Sequence, residues 1–178
     1  MFILYFEIPD IFIPFLRKGY EPNYSDDLPT LDDMSPGERC ACRFLLGDAE
    51  LKKHTLKLIP HVEIGPWLVK NVVGSTPAII GNKLPVNYIY QPPDGKNCCY
   101  LEADLDIVAS SAARKILSVV RSYTQGLTID LGFVCEGKQP DELPEQMLGA
   151  CRIHGLDPLN ASLLPPIPDE AHNYYADQ

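Results

Sequence analysis

Three carboxylates, Glu102, Asp104 and Asp106, alternate within the phrase YLEADLDI. On a β-strand, residues two apart share a face and stand about 6.5–7 Å from one another. Such a row could divide the work of a general acid and a general base, or offer hard oxygen ligands to a cation such as Ca2+. Hydrolysis of that kind needs one carboxyl raised in pKa beside another kept ionised. The plainer reading is a solvated strand face, or pairing with Lys and Arg of neighbouring strands, because strand alternation produces such rows routinely. The chain has no G-x-S-x-G, no H-E-x-x-H and no phosphate-cradling glycine loop. No catalytic residue is assigned, and the chain is expected not to be an enzyme.

A second candidate is cationic. The 178-residue chain has a formal net charge of −9, yet residues 51–96 carry six basic and two acidic side chains. Lys57, Lys70 and Lys83, with Arg114 at the start of a helix and Lys52 and Lys53 nearby, could converge on a lipid headgroup or another anion. The helix N-terminus at Ser110-Ser111 would add N–H donors and a favourable dipole. The competing reading is that these cations pair with the acidic flanks or guard strand edges. The overall acidity argues against a nucleic-acid partner, which requires clustered Lys and Arg.

Six cysteines raise the questions of disulfides and zinc. Cys40 and Cys42 form C-x-C, Cys98 and Cys99 are adjacent, and Cys135 and Cys151 stand alone in apolar runs. None of these is a C-x-x-C, so reduced and mostly buried thiols are expected. His54, His61, His154 and His172 read as surface or satisfied histidines; no metal and no cofactor is expected. Trp67, the single tryptophan, reads as a core residue, with anchoring at a membrane interface as the alternative.

The elements that must position these residues follow from pattern. MFILYFEI at 1–8 predicts a buried strand ended by Pro9. The proline- and acid-rich segment 19–38 predicts a surface loop, and Cys40–Leu46 a short helix or strand. Strands are expected from Thr55 to Pro60, over Val62–Val73 with a break at Gly65-Pro66, and briefly at Ala78–Ile80. Tyr100–Ile107 alternates most clearly. Ser110 caps the clearest helix, whose Ala113, Ile116, Leu117, Val120 and Tyr123 share a face, with Gly126 at its end. Leu127–Glu136 and Met147–Leu156 are further strands, and Glu142–Glu145 predicts a helical turn with Pro144 in its first turn. The fold class is α+β: a mainly antiparallel sheet with one principal helix packed on it. One domain over 1–156 and a Pro-rich tail over 157–178 are expected. No segment is apolar over the roughly 20 residues that a membrane span needs.

A set of phrases in fixed order carries a resemblance: LKLIP at 56–60, GPWLVK at 65–70, VGSTPAIIGNKL at 73–84, YLEADLDI at 100–107, SSAAR at 110–114, LTIDLGFVCEG at 127–137 and ELPEQMLG at 142–149. YFEIP and RFLLGD fit as well. Together they resemble the C-terminal domain of the plant Enhanced Disease Resistance 2 family. The resemblance implies an earlier extended section before YFEIP, so the chain reads as a domain shortened at its start, and QPPDGKNCC at 91–99 lengthens a connection. In the plant proteins this domain follows a pleckstrin-homology domain and a START-type lipid domain. Those proteins are linked to phosphoinositides, endomembranes and restraint of cell death. That lipid link attaches best to the companion domains.

Two readings stay open, and a third stands behind them. The first is a non-enzymatic, lipid-associated or regulatory binding module, cytoplasmic or peripheral to endomembranes, which would use Lys57, Lys70, Lys83 and Arg114 and an apolar cavity. The second is a protein-interaction or scaffold domain without a ligand, which would expose an apolar patch. The third is a hydrolase built on Glu102, Asp104 and Asp106.

Overall fold

The computed structural model describes residues 3–95 and 97–157. The tail expected over 157–178 therefore lies, beyond Asp157, outside the described residues.

A four-stranded antiparallel sheet organises the chain. Its strands are β1 (Leu56–Ile64), β2 (Ala78–Ile79), β5 (Thr128–Cys135) and β6 (Met147–His154), in the order β2-β1-β5-β6. A separate antiparallel hairpin joins β3 (Val86–Gln91) to β4 (Tyr100–Leu105). The helices are α1 (Ile13–Tyr20), α2 (Pro36–Leu46), α3 (Ala49–Lys53), α4 (Trp67–Val73) and α5 (Ser111–Val120). The α+β class and its antiparallel sheet are as the sequence implies.

β1 and β5 run antiparallel from Leu56↔Cys135 to Ile64↔Thr128. The strand that enters α4 therefore ends beside the start of the strand that leaves α5. At this end Val62, Val69 and Leu127 are buried, packed by Val73, Val119, Val120 and Ile129. The opposite end, at Leu56 and Cys135, belongs to a larger core with Phe15, Leu16, Met34, Cys40, Cys42, Phe44 and Leu45. The hairpin closes that core, with Tyr88 edge-on to Phe44 and Tyr90 stacked on Tyr20. α1 and α2 approach so closely that a Cβ at Gly19 would lie 2.4 Å from the Leu45 carbonyl oxygen.

α2 is the principal buried helix. Ser35 and Glu38 form a reciprocal capping box at its start, Pro36 takes the first turn, and Cys40, Ala41, Phe44 and Leu45 face inward at helical spacing. An ion pair ties α2 to the β5–β6 connection. Arg43 Nε lies 2.5 Å from Glu142 Oε1, and its Nη2 donates to the Glu136 carbonyl at 2.8 Å. Glu142 also accepts from the Lys138 and Gln139 amides. Burial alone would raise the Glu142 carboxyl; the Lys138 amide and the Arg43 guanidinium outweigh it and hold the pKa below the usual range.

Several expectations are corrected. Residues 3–8 form no strand: they have no ladder partner among the described residues, and Phe6 sets its ring edge-on to Phe133 at 5.6 Å. Val62–Val73 is not one strand, because Val62–Ile64 ends β1 and residues 67–73 turn helical after Pro66, driven by inward packing of Val69 and Val73. Pro60 lies inside β1, tolerated because β2 pairs only with Lys57 and Leu58 and leaves that edge open. The turn expected at Glu142–Glu145 sits at Pro140–Glu142, and Pro144 follows it in a cis peptide. α5 forms with Ser110 as its cap but buries no residue fully and ends at Val120, before Gly126.

The Glu142→Gln variant is expected to lose about 3 kcal/mol, read from urea unfolding, because it leaves Arg43 without its charge partner. The depressed Glu142 pKa makes the unfolded chain the better proton binder below the ordinary carboxylate value of about 4.3. Wild-type stability should therefore fall as pH drops below that value, and the Glu142→Gln curve should fall less.

Candidate basic and apolar surface

The four cations expected to converge do not share one place. Lys57 Nζ is held by Glu145 at 2.7 Å and by Glu136 at 3.7 Å, so two carboxylates neutralise it. Lys83 is exposed beside it, across an open hollow that also includes Thr76, Asn82 and Glu136. Lys70 and Arg114 belong to α4 and α5, at the far end of β1, which spans roughly 25 Å from Lys57 to Ile64. Lys70 Nζ donates to the Glu63 carbonyl at 2.8 Å, and the Arg114 guanidinium donates to the Val108 carbonyl.

Lys52 turns inward. It is buried, its Nζ donates to the carbonyls of Leu45 at 3.2 Å and of Gly47, and it lies over the rings of Tyr20 and Phe44. It thus closes the C-terminal end of α2. Lys53 pairs with Glu50 at 3.5 Å. Burial lowers the Lys52 pKa to about 8.

The carboxylate row is split. Glu102 and Asp104 lie opposite Ile89 and Asn87, on the face of the hairpin turned away from Tyr88 and Tyr90. Burial, then a hydrogen bond and charge from Asp104, raise the Glu102 carboxyl. Asp106 lies past the strand and accepts from the Ala109 amide at 3.0 Å, capping a 3-10 turn. Of the thiols, Cys40, Cys42, Cys99 and Cys135 are buried and Cys98 is exposed.

The α4–α5 end combines exposed apolar groups with exposed cations. Trp67 is 76% exposed, against the core placement expected for it. Val69 and Val73 take the inner face of α4, and Trp67, two residues before Val69, points roughly 160° away from it. Ile64, Leu68, Val108 and Leu117 are exposed as well. Residues 64–75 and 107–127 contain Lys70, Arg114, Lys115 and Arg121 and not one Asp or Glu. All four are exposed and, among the described residues, none enters an ion pair. On α5, Leu117 lies three residues after Arg114 and four before Arg121, so the three form one stripe. Sequence reading passes over Lys115, Arg121 and this stripe; the signal available is the acid-free run from Ile107 to Leu127.

The sequence profile described as "Protein ENHANCED DISEASE RESISTANCE 2, C-terminal" matches residues 1–157. The chain belongs to the Enhanced Disease Resistance 2 C-terminal family. It is also 37% identical over 123 residues to the Arabidopsis thaliana protein named "Protein ENHANCED DISEASE RESISTANCE 2-like". That match covers 69% of this chain and 16% of the relative, so the chain corresponds to a small part of the longer protein. No solved structure matches the chain. Among the described residues no helix is long and apolar enough to cross a membrane. Two hollows, one around Arg121–Gly126 and Asp157 and one beside Lys57 and Lys83, are open depressions whose linings mix polar and apolar groups. Neither is the apolar cavity expected of a domain that encloses a lipid.

The lowered Lys52 pKa gives a sign-definite expectation. Between about pH 8 and the unfolded lysine value of about 10.4 the unfolded chain binds the extra proton, so stability should rise with pH across that window. Denaturant midpoints measured from pH 7.5 to 10.5 on wild type and Lys52→Met check this. The difference between the two should shift in favour of wild type as pH rises.

Proposed function

We propose that this domain is a peripheral binding module for anionic lipid surfaces, which docks through the α4–α5 end of the sheet. The carrying observation is the exposed Trp67 beside Lys70, Arg114, Lys115 and Arg121, none of them in an ion pair among the described residues, in two segments without an acidic side chain. A tryptophan is favoured at a bilayer interface, where its apolar ring and polar N–H both find partners. Ile64 and Leu68 would enter beside it, while the lysine and arginines meet lipid phosphates, each worth about 1 kcal/mol near a charged leaflet. In a chain of net charge −9 a local cationic face orients the molecule, because the remaining surface is repelled by the same membrane. The open hollows support docking on a lipid surface over enclosure of a lipid. The regulatory role and the endomembrane address belong to this reading as expectations.

The exposure of Val108 and Leu117 favours one alternative, a protein partner whose apolar face covers α5. Salt separates the two readings, since surface charges are screened and an apolar protein contact is not.

Co-sedimentation with phosphatidylserine-containing vesicles should show binding that falls as salt rises. Arg114→Gln combined with Arg121→Gln should weaken partitioning by about 2 kcal/mol, roughly thirtyfold. Binding unchanged by that pair, or equal on neutral phosphatidylcholine vesicles, would remove the proposed face.

A further inference from the structure

We propose that His61, Glu63 and Asp130 form a binding site for a divalent transition-metal ion at the β1–β5 pairing. His61 of β1 stands directly opposite Asp130 of β5. Glu63 would ordinarily be the next residue on the His61 face, but the ladder shifts between Val62 and Ile64 and leaves Glu63 out of the pairing. Its carboxylate turns back to His61, with Oε2 3.4 Å from Nε2. One imidazole nitrogen and two carboxylate oxygens thus lie within 4.8 Å of one another. A bulge that re-aims a side chain in this way is a recurrent feature of strands beside functional sites.

The donor set selects the ion. Ca2+ and Mg2+ take oxygen ligands, whereas an imidazole joined to carboxylates suits Zn2+ and its neighbours, at metal–ligand distances of about 2.0–2.2 Å. His61 and Glu63 are exposed, so small rotations of their side chains can close the set around one ion, with water in the remaining positions. Arg152 orients Asp130 through a two-pronged contact, Nε to Oδ1 at 2.5 Å and Nη2 to Oδ2 at 2.7 Å. A carboxylate offers about four lone-pair sites, so this leaves Asp130 able to accept a metal as well. Arg152 is then a positioning residue, of the kind that holds metal ligands from behind. Two carboxylates and one guanidinium leave the site one negative charge to receive a divalent cation. The sequence does not reveal it, because Asp130 lies far along the chain from His61 and Glu63 and only the β1–β5 register brings it to them.

The test is calorimetric titration with Zn2+, in a Cys98→Ser background because Cys98 is the exposed thiol that would compete for the metal. One equivalent should bind, and the His61 ring signals in the NMR spectrum should shift as it does. His61→Ala and Glu63→Gln, both at exposed positions and expected to keep the circular dichroism of the parent, should each weaken binding by at least about tenfold. Absence of binding, binding that leaves the His61 signals unmoved, or parental affinity retained in both variants would overturn the proposal. The site does not depend on lipid docking, and vesicles are left out of the experiment.

Discussion

The antiparallel pairing of Leu56–Ile64 with Thr128–Cys135 is the constraint on which the rest of the molecule depends. Strand periodicity turns Leu56, Leu58, Val62, Ile129, Phe133 and Cys135 to the covered face, and the register fixes what covers each end. The Leu56–Cys135 end receives α1, α2 and the hairpin. The Ile64–Thr128 end receives α4 and α5, because one helix follows β1 and the other precedes β5. A one-residue slip would turn this apolar row outward and separate both helical layers from their floor.

The two ends are finished differently. Around α2 the charges are consumed internally: Arg43 by Glu142, Lys57 by Glu136 and Glu145, and Lys52 by the carbonyls that end the helix. Around α4 and α5 the apolar contacts are fewer and the cations have no acidic neighbours in their own segments. A folded domain with one end closed by its own ion pairs and the other left cationic and apolar is suited to meeting an anionic surface with that second end. This is the physical basis of the proposed function, and it assigns no catalytic role to the carboxylates on the outer face of the hairpin.

Much of the framework is legible in the sequence where periodicity is clean. β4 follows from its alternation, β5 and β6 from apolar runs between turn residues, and α5 from its cap and 3-4 spacing. α4 is not, because WLVKNVV is rich in β-branched residues and its local preference points to a strand; packing of Val69 and Val73 decides otherwise. β3 is hidden between Pro85 and Pro92, although Val86, Tyr88 and Tyr90 alternate. The site was legible only in part. Lys57 and Lys70 look alike in the sequence, and only the fold carries Glu136 and Glu145 to one of them and none to the other. Trp67 likewise reads as core until α4 is known to be a helix.

Trp67 is the single tryptophan of the chain, so its fluorescence reports on the proposed docking face alone. The most direct measurement is its emission during titration with vesicles containing phosphatidylserine, some of them carrying a brominated acyl chain as a contact quencher. Docking through α4 predicts a shift of the emission to shorter wavelength and quenching by the brominated lipid, both reversed by high salt. An emission spectrum unmoved by vesicles that nevertheless bind the protein would place another face on the membrane and contradict the account.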